Sequence, residues 1–206
     1  MAYKLWMKKG AILLLAMLLV AAVMTAVASL GEFRLRCEDV SDKVLRLHVL
    51  ANSDSEADQA LKLQVRDAVL EASADLFRDL GTKTEAMDAV SSQKEALQAV
   101  AQRTVEENGY DYPVTVELTE TYFNTRTYED ITMPAGYYDA FQVKIGAAAG
   151  KNWWCVLFPA ICVPAATGPQ LDDVLTDAEL ELVQEDGYEI RFKVVEWYEA
   201  VAGWFR

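Results

Sequence analysis

Between Lys9 and Glu32 the chain carries no charged side chain, and Ala11 to Val27 is apolar except for Thr25. Lys4, Lys8 and Lys9 precede this run, and Ala26-Val27-Ala28 followed by Ser29 has the small-x-small form of a signal cleavage site. The competing reading is an uncleaved anchor, since about 18 or more apolar residues span a bilayer. Both readings leave the lysines cytoplasmic and carry the rest of the chain across the membrane. Residues 1–30 are therefore a signal peptide or signal anchor. Residues 31–42 read as a mobile tether, and 43–206 as a single exported domain.

The charge balance narrows the partners. The first 31 residues hold three of the 19 basic residues and none of the 32 acidic ones, so the exported part carries 16 basic against 32 acidic side chains. Such a surface repels phosphate backbones and anionic headgroups, and nucleic acid is not an expected partner.

The domain's pattern predicts an α+β fold. Leu45, Leu47 and Val49 alternate with polar residues as in a strand with one buried face. Asn52-Ser53-Asp54-Ser55 is a polar corner into a helix, with Ser55 or Asp54 as N-cap. Leu61, Val65, Ala68, Val69, Ala72, Leu76 and Leu80 then lay an apolar stripe up to Gly81. Thr82 and Glu85 cap a second helix that weakens at Ser91-Ser92-Gln93-Lys94 and stops at Asn108-Gly109. From Tyr112 the period becomes two. Val114 to Leu118, Phe141 to Ile145 and Trp153 to Phe158 read as a three-stranded antiparallel meander. A short helix over 177–183 and a closing C-terminal helix with Ile190, Val194, Trp197, Tyr198, Val201 and Trp204 at helical spacing complete the chain, although Ile190, Phe192 and Val194 also alternate as in a strand.

Few residues carry chemistry. Histidine occurs once, at His48, which removes any two-histidine metal site; its place in a period-two strand puts it on the polar face. Reversal of the chain at Phe158-Pro159 sets Cys155 opposite Cys162, at a separation that suits a disulfide; two buried thiols are the alternative. Proline in the second central position of a two-residue turn favours a cis Phe158-Pro159 bond, whereas a four-residue loop makes no such demand. Cys37 is left over in the tether. Trp153 and Trp154 point to opposite faces of their strand, as core packing or as aromatic anchors for a partner. The remaining carboxylates fall in no catalytic pattern, and no cofactor is expected.

Several blocks together carry a resemblance. Leu45 to Leu70 (LRLHVLANSDSEADQALKLQVRDAVL), Tyr122 to Tyr128 (YFNTRTY), Pro134 to Ala140 (PAGYYDA) and Asn152 to Pro159 (NWWCVLFP) with Cys162 resemble, in the same order, the blocks of the stage II sporulation protein R family. The resemblance implies a protein made in the forespore of endospore-forming bacteria and exported into the space between forespore and mother-cell membranes, where an uncleaved N-terminal segment would keep it anchored. There it would trigger a membrane-embedded aspartic-type protease that processes the sigma-E precursor. It implies no catalytic residues, no cofactor and no small-molecule substrate. Asn52, Ser53, Asp54, Tyr122, Asn124, Arg126 and Tyr128 are the candidate partner-binding residues, because polar exposed character is not needed for a core; Trp153 and Trp154 join them as aromatic anchors. The competing classes are an exported thiol hydrolase using Cys155 and His48, and a cell-wall-binding module using exposed aromatics.

Overall fold

A computed structural model describes residues 2–128, 131–159, 161–162, 169–184 and 192–197. Its elements are helix α1 (Ala2–Lys43), strand β1 (Leu45–Leu50), helices α2 (Glu56–Ser73), α3 (Lys83–Ser92) and α4 (Lys94–Glu107), and strand β2 (Val114–Phe123). A small hairpin of β3 (Arg126–Tyr128) and β4 (Ile131–Met133) follows, then β5 (Gly136–Ile145), β6 (Asn152–Phe158), α5 (Leu171–Val174) and α6 (Asp177–Gln184). Residues 192–197 form a last helical stretch, α7.

The fold is α+β with a mainly antiparallel sheet, in the order β2-β5-β1-β6. The three late strands do not form a contiguous meander, because β1 inserts between β5 and β6. It runs parallel to β5 and antiparallel to β6. The reason is the composition of β1, whose two faces are both buried. Leu45, Leu47 and Val49 pack under α2, α3 and α4 through Leu61, Val65, Val90, Leu97 and Ala101. Arg46 and His48 point into a second core on the opposite face, so the alternation that reads as a wetted face is a buried polar one. A strand covered on both sides belongs in the middle of a sheet.

The helix-forming segments break where their side chains allow. Ser55 caps α2, accepting from the Asp58 backbone N–H at 3.1 Å. α2 ends at Ser73, short of the Leu80 that the apolar stripe reaches; Phe77 and Leu80 still pack on the core from the turns beyond. Thr82 and Glu85 form a capping box on α3, and Gln93 interrupts the helical run into α3 and α4 at the weak Ser91–Lys94 stretch.

Residues 31–42 are not a tether. They are the final turns of α1, because Phe33, Cys37, Val40 and Val44 recur at helical spacing and enter the second core with Phe123, Tyr138, Leu182 and Phe192. The Phe33 and Phe192 rings lie 5.4 Å apart, and Lys43 pairs with Glu179 of α6 at 2.6 Å. Cys37 is buried there as a free thiol. Farther back, Ile12 to Val27 is exposed along its length, and this is a helix long and apolar enough to cross a membrane. Of the closing helix, residues 192–197 are helical; Ile190, Tyr198, Val201 and Trp204 lie outside the described residues.

If residues 33–44 belong to the core, Phe33→Ala should destabilise the full chain by about 3–5 kcal/mol in denaturant unfolding in detergent micelles. A tether residue would shift the midpoint by no more than about 0.5 kcal/mol, and that result would overturn the packing described.

Candidate functional site

Because β1 lies between β5 and β6, the link from β5 to β6 must step over the carboxyl end of β1. The polar corner meets it there. Asn52 Oδ1 accepts from the Ala147 N–H at 2.9 Å, and the carbonyls of Asn52 and Ala51 accept from Ala149 and Gly150. Asp54 Oδ1 accepts from the Lys151 N–H at 2.7 Å. The crossing is so close that a Cβ on Gly146 would sit 2.3 Å from Asn52 Oδ1, and one on Gly150 2.1 Å from the Ser53 carbonyl oxygen. Gly146 also has φ +57°, a conformation costly for other residues. Beneath the corner, buried Asp58 accepts from Asn52 Nδ2 at 2.9 Å and Ser53 Oγ at 2.5 Å. Hydrogen bonds from Ser53 and Asn52 hold its carboxyl below the usual carboxylate range. The side chains of Asn52, Ser53 and Asp54 are thus occupied within the fold.

The second core holds the other unusual polar groups. Arg46 is wholly buried, and no carboxylate pairs with it among the described residues. Its guanidinium lies 4.2 Å from the Phe123 ring centroid, 4.9 Å from Tyr138 and 5.7 Å from Tyr128. Nε donates to the Cys155 carbonyl at 3.3 Å and Nη2 to the Tyr128 hydroxyl at 2.5 Å, and that hydroxyl donates to the Trp154 carbonyl at 3.1 Å. Cation–π attraction and these acceptors stand in for a counter-ion. His48 stacks on Trp154 with centroids 4.4 Å apart, and its Nδ1 meets Gln142 Nε2 at 2.8 Å. Burial pushes its pKa down to about 4; the Asn152 side chain opposes the shift, and Lys144 and Arg46 reinforce it. Among the described residues neither His48 Nε2 nor Arg46 Nη1 has a hydrogen-bond partner.

Cys155 and Cys162 form a disulfide, with Cα atoms 6.2 Å apart, around a cis Phe158–Pro159 peptide. Cys155 faces the α2–α4 core while His48 faces the opposite one, so the sheet itself separates the residues of the thiol–imidazole pair. Trp153 and Trp154 also divide between the faces, and both pack. Arg66 of α2 lies 4.2 Å over the Trp153 ring, and Trp154 meets Phe123 edge-on at 4.5 Å. Among the described residues, no group of three or more His, Cys, Asp or Glu side chains is placed to hold a metal ion.

Apart from Asp54, which is exposed at the corner, the candidate contact residues that are open to solvent lie at the end of β2 and on the hairpin after it. Asn124, Arg126 and Thr127 are exposed, while Tyr128 is drawn inward by Arg46. Tyr122 meets Tyr137 edge-on at 5.3 Å, and Tyr137 is 54% exposed. Tyr137 is absent from the residues singled out by sequence; the signal for it is the alternation of β5, where wholly buried Tyr138 fixes its neighbour outward.

The model of the family described as stage II sporulation protein R matches residues 41–167. The chain is 33% identical over 181 residues to the stage II sporulation protein R of Bacillus subtilis (strain 168), an alignment that covers 77% of this chain and 81% of that protein. No solved structure matches the chain.

A buried base held neutral makes stability depend on pH with a definite sign. His48 has a folded pKa below its unfolded value, so its contribution is full above about pH 6.5 and is lost as pH falls toward 4. Since it is the sole histidine, unfolding midpoints should fall between pH 7 and pH 5 in the natural chain and stay level in His48→Phe. Parallel slopes for the two proteins would contradict this burial. Asp58 acts lower, its contribution present above the ordinary carboxylate pKa and lost as pH drops through its depressed value.

Proposed function

The chain belongs to the stage II sporulation protein R family, and from that premise we propose that it is an exported signalling ligand that switches on a membrane-embedded aspartic-type protease, which then processes the sigma-E precursor in the mother cell. One observation carries the reading. Among the described residues, the groups that invite a chemical role are held by the fold: Cys155 in a disulfide, His48 and Arg46 in an aromatic core, Asp58 in the corner. Exposed polar side chains and an aromatic pair remain on the β2–β3 end, which suits contact with another protein rather than turnover of a substrate.

The mechanism needs only differential binding. A ligand that holds the active state of the protease more tightly than the inactive one shifts the population toward activity, and by no more than that difference. The N-terminal helix fits a signal or anchor segment, and it delivers the domain to the membrane face on which such a protease would present its extracytoplasmic loops. Its last turns are fused to the second core, so an uncleaved segment would hold the domain close to the bilayer surface. The acidic surface would favour encounter with basic loops. Asn124, Arg126, Tyr122 and Tyr137 are the residues we assign to the contact, and Asn52, Ser53 and Asp54 to the fold.

Purified full-length chain added to the extracytoplasmic side of vesicles carrying the protease and the sigma-E precursor should switch processing on, and Arg126→Ala with Asn124→Ala should weaken it by about tenfold without lowering stability. Processing at the same rate with no chain added would reject the signalling role.

A further inference from the structure

We infer that the outer edge of β2 is a docking site for an extended, basic segment of the partner protein, added to the sheet as a fifth strand; this rests on the signalling reading above and names how the partner is held. The register fixes which groups point outward. The Gly146 N–H bonds to the Pro113 carbonyl, and Val114 pairs with Ile145. Thr115, Glu117 and Thr119 therefore exchange bonds with β5, while Val114, Val116, Leu118 and Glu120 aim N–H and C=O away from it.

The start of this edge is closed, and among the described residues its middle is left unpaired. Gln102 Oε1 accepts from the Val114 N–H at 2.8 Å, and Gln98 Nε2 donates to the Val114 carbonyl at 2.9 Å. Beyond the end of the strand Glu196 Oε1 accepts from the Thr125 N–H at 2.7 Å. Beyond Val114 the outward N–H groups of Val116, Leu118 and Glu120 have no partner among the described residues, and among the same residues the one hydrogen bond to their carbonyls is from Thr119 Oγ1 to Glu120 at 3.5 Å.

The opposite edge of the same sheet shows what a closed edge looks like here. On β6 the Val156 N–H meets Cys162 Sγ, the Val156 carbonyl accepts from the Cys162 N–H, and the Trp154 carbonyl accepts from Tyr128. β2 has none of the usual guards: no proline, no lysine and no register shift over ten residues.

Charge selects the occupant. Glu117 is paired with Lys144, whereas Glu120 has no ion pair among the described residues. Glu120 and Asp42 line a groove of about 580 Å³ with Gly136 and Tyr137, in which Glu38 is already paired with Arg34 at 2.9 Å. An added strand of about five to seven residues with basic side chains matches this edge, main-chain bonds supplying affinity and the carboxylates supplying selectivity. A second copy of the chain fits poorly, since each copy carries a net charge of −13.

Proline at 120 tests the edge, because it removes one outward N–H and leaves the β2–β5 ladder intact. In the vesicle assay Glu120→Pro should lose about tenfold or more of the stimulation at an unchanged unfolding midpoint, and Glu120→Ala should lose less. Hydrogen exchange gives a second reading that needs no variant. In the free full-length chain the amides of Val116, Leu118 and Glu120 should exchange fast and those of Thr115, Glu117 and Thr119 slowly; protease-bearing vesicles should slow the first three. Wild-type chain that fails to stimulate rejects the signalling reading. Wild-type chain that stimulates while Glu120→Pro matches it overturns the edge alone. Slow exchange at the three outward amides in the free chain, whether or not it disappears on dilution, also overturns it, by showing the edge already covered by the chain or by a second copy.

Discussion

The crossing of the β5–β6 link over the end of β1 is the constraint on which the rest of the molecule depends. A strand can enter the middle of a sheet between two strands joined in sequence only if their connection passes above it. That passage leaves backbone N–H groups with no strand to pair with, so their partners must come from elsewhere. The chain answers with small residues at 146–150 and with carbonyl and side-chain oxygens from Ala51, Asn52 and Asp54. Asp58 in turn fixes Asn52 and Ser53 from below. The polar corner is thus part of the topology, and the same bonds anchor the start of α2 on the core.

Placing β1 at the centre has a second consequence. Its even-numbered side chains must be buried with its odd-numbered ones, although Arg46 and His48 are polar. Arg46 is accommodated by three rings, a hydroxyl and a carbonyl, and His48 by remaining neutral between Trp154 and Gln142. Tyr128 and Trp154 are drawn into this arrangement, which ties the β3–β4 hairpin to the sheet. The second core then extends to Phe33, Cys37 and Val40 of α1, so the domain and the long apolar N-terminal helix share one set of contacts. Under the proposed signalling role, this molecule would act through the surfaces that these contacts hold in place.

Much of this was legible in the residues. The helix caps at Ser55 and Thr82, the break near Gln93, the period-two strands and the Cys155–Cys162 pairing all follow from local rules, because each depends on neighbours within a few residues. Strand order was not legible, since alternation reports which residues share a face and not which strand lies alongside. The polar face of β1 misleads for the same reason: Arg46 and His48 look solvated until Phe123, Tyr138 and Trp154 arrive from distant segments. The α1 extension was marked by the Phe33, Cys37, Val40 and Val44 spacing but masked by the charged residues between them. Among the candidate contact residues, sequence pointed to Tyr122, Asn124 and Arg126 on the exposed end, and also to Asn52, Ser53 and Asp54, whose polarity serves the crossing.

The central claim is that the polar corner serves the fold and that contact with the partner lies elsewhere. Protease activation per folded molecule, measured for Asn52→Ala under conditions where circular dichroism shows it fully folded, tests this most directly. The account predicts a lower unfolding midpoint with activation per folded molecule equal to that of the natural chain. An unchanged midpoint with activation lost would contradict it.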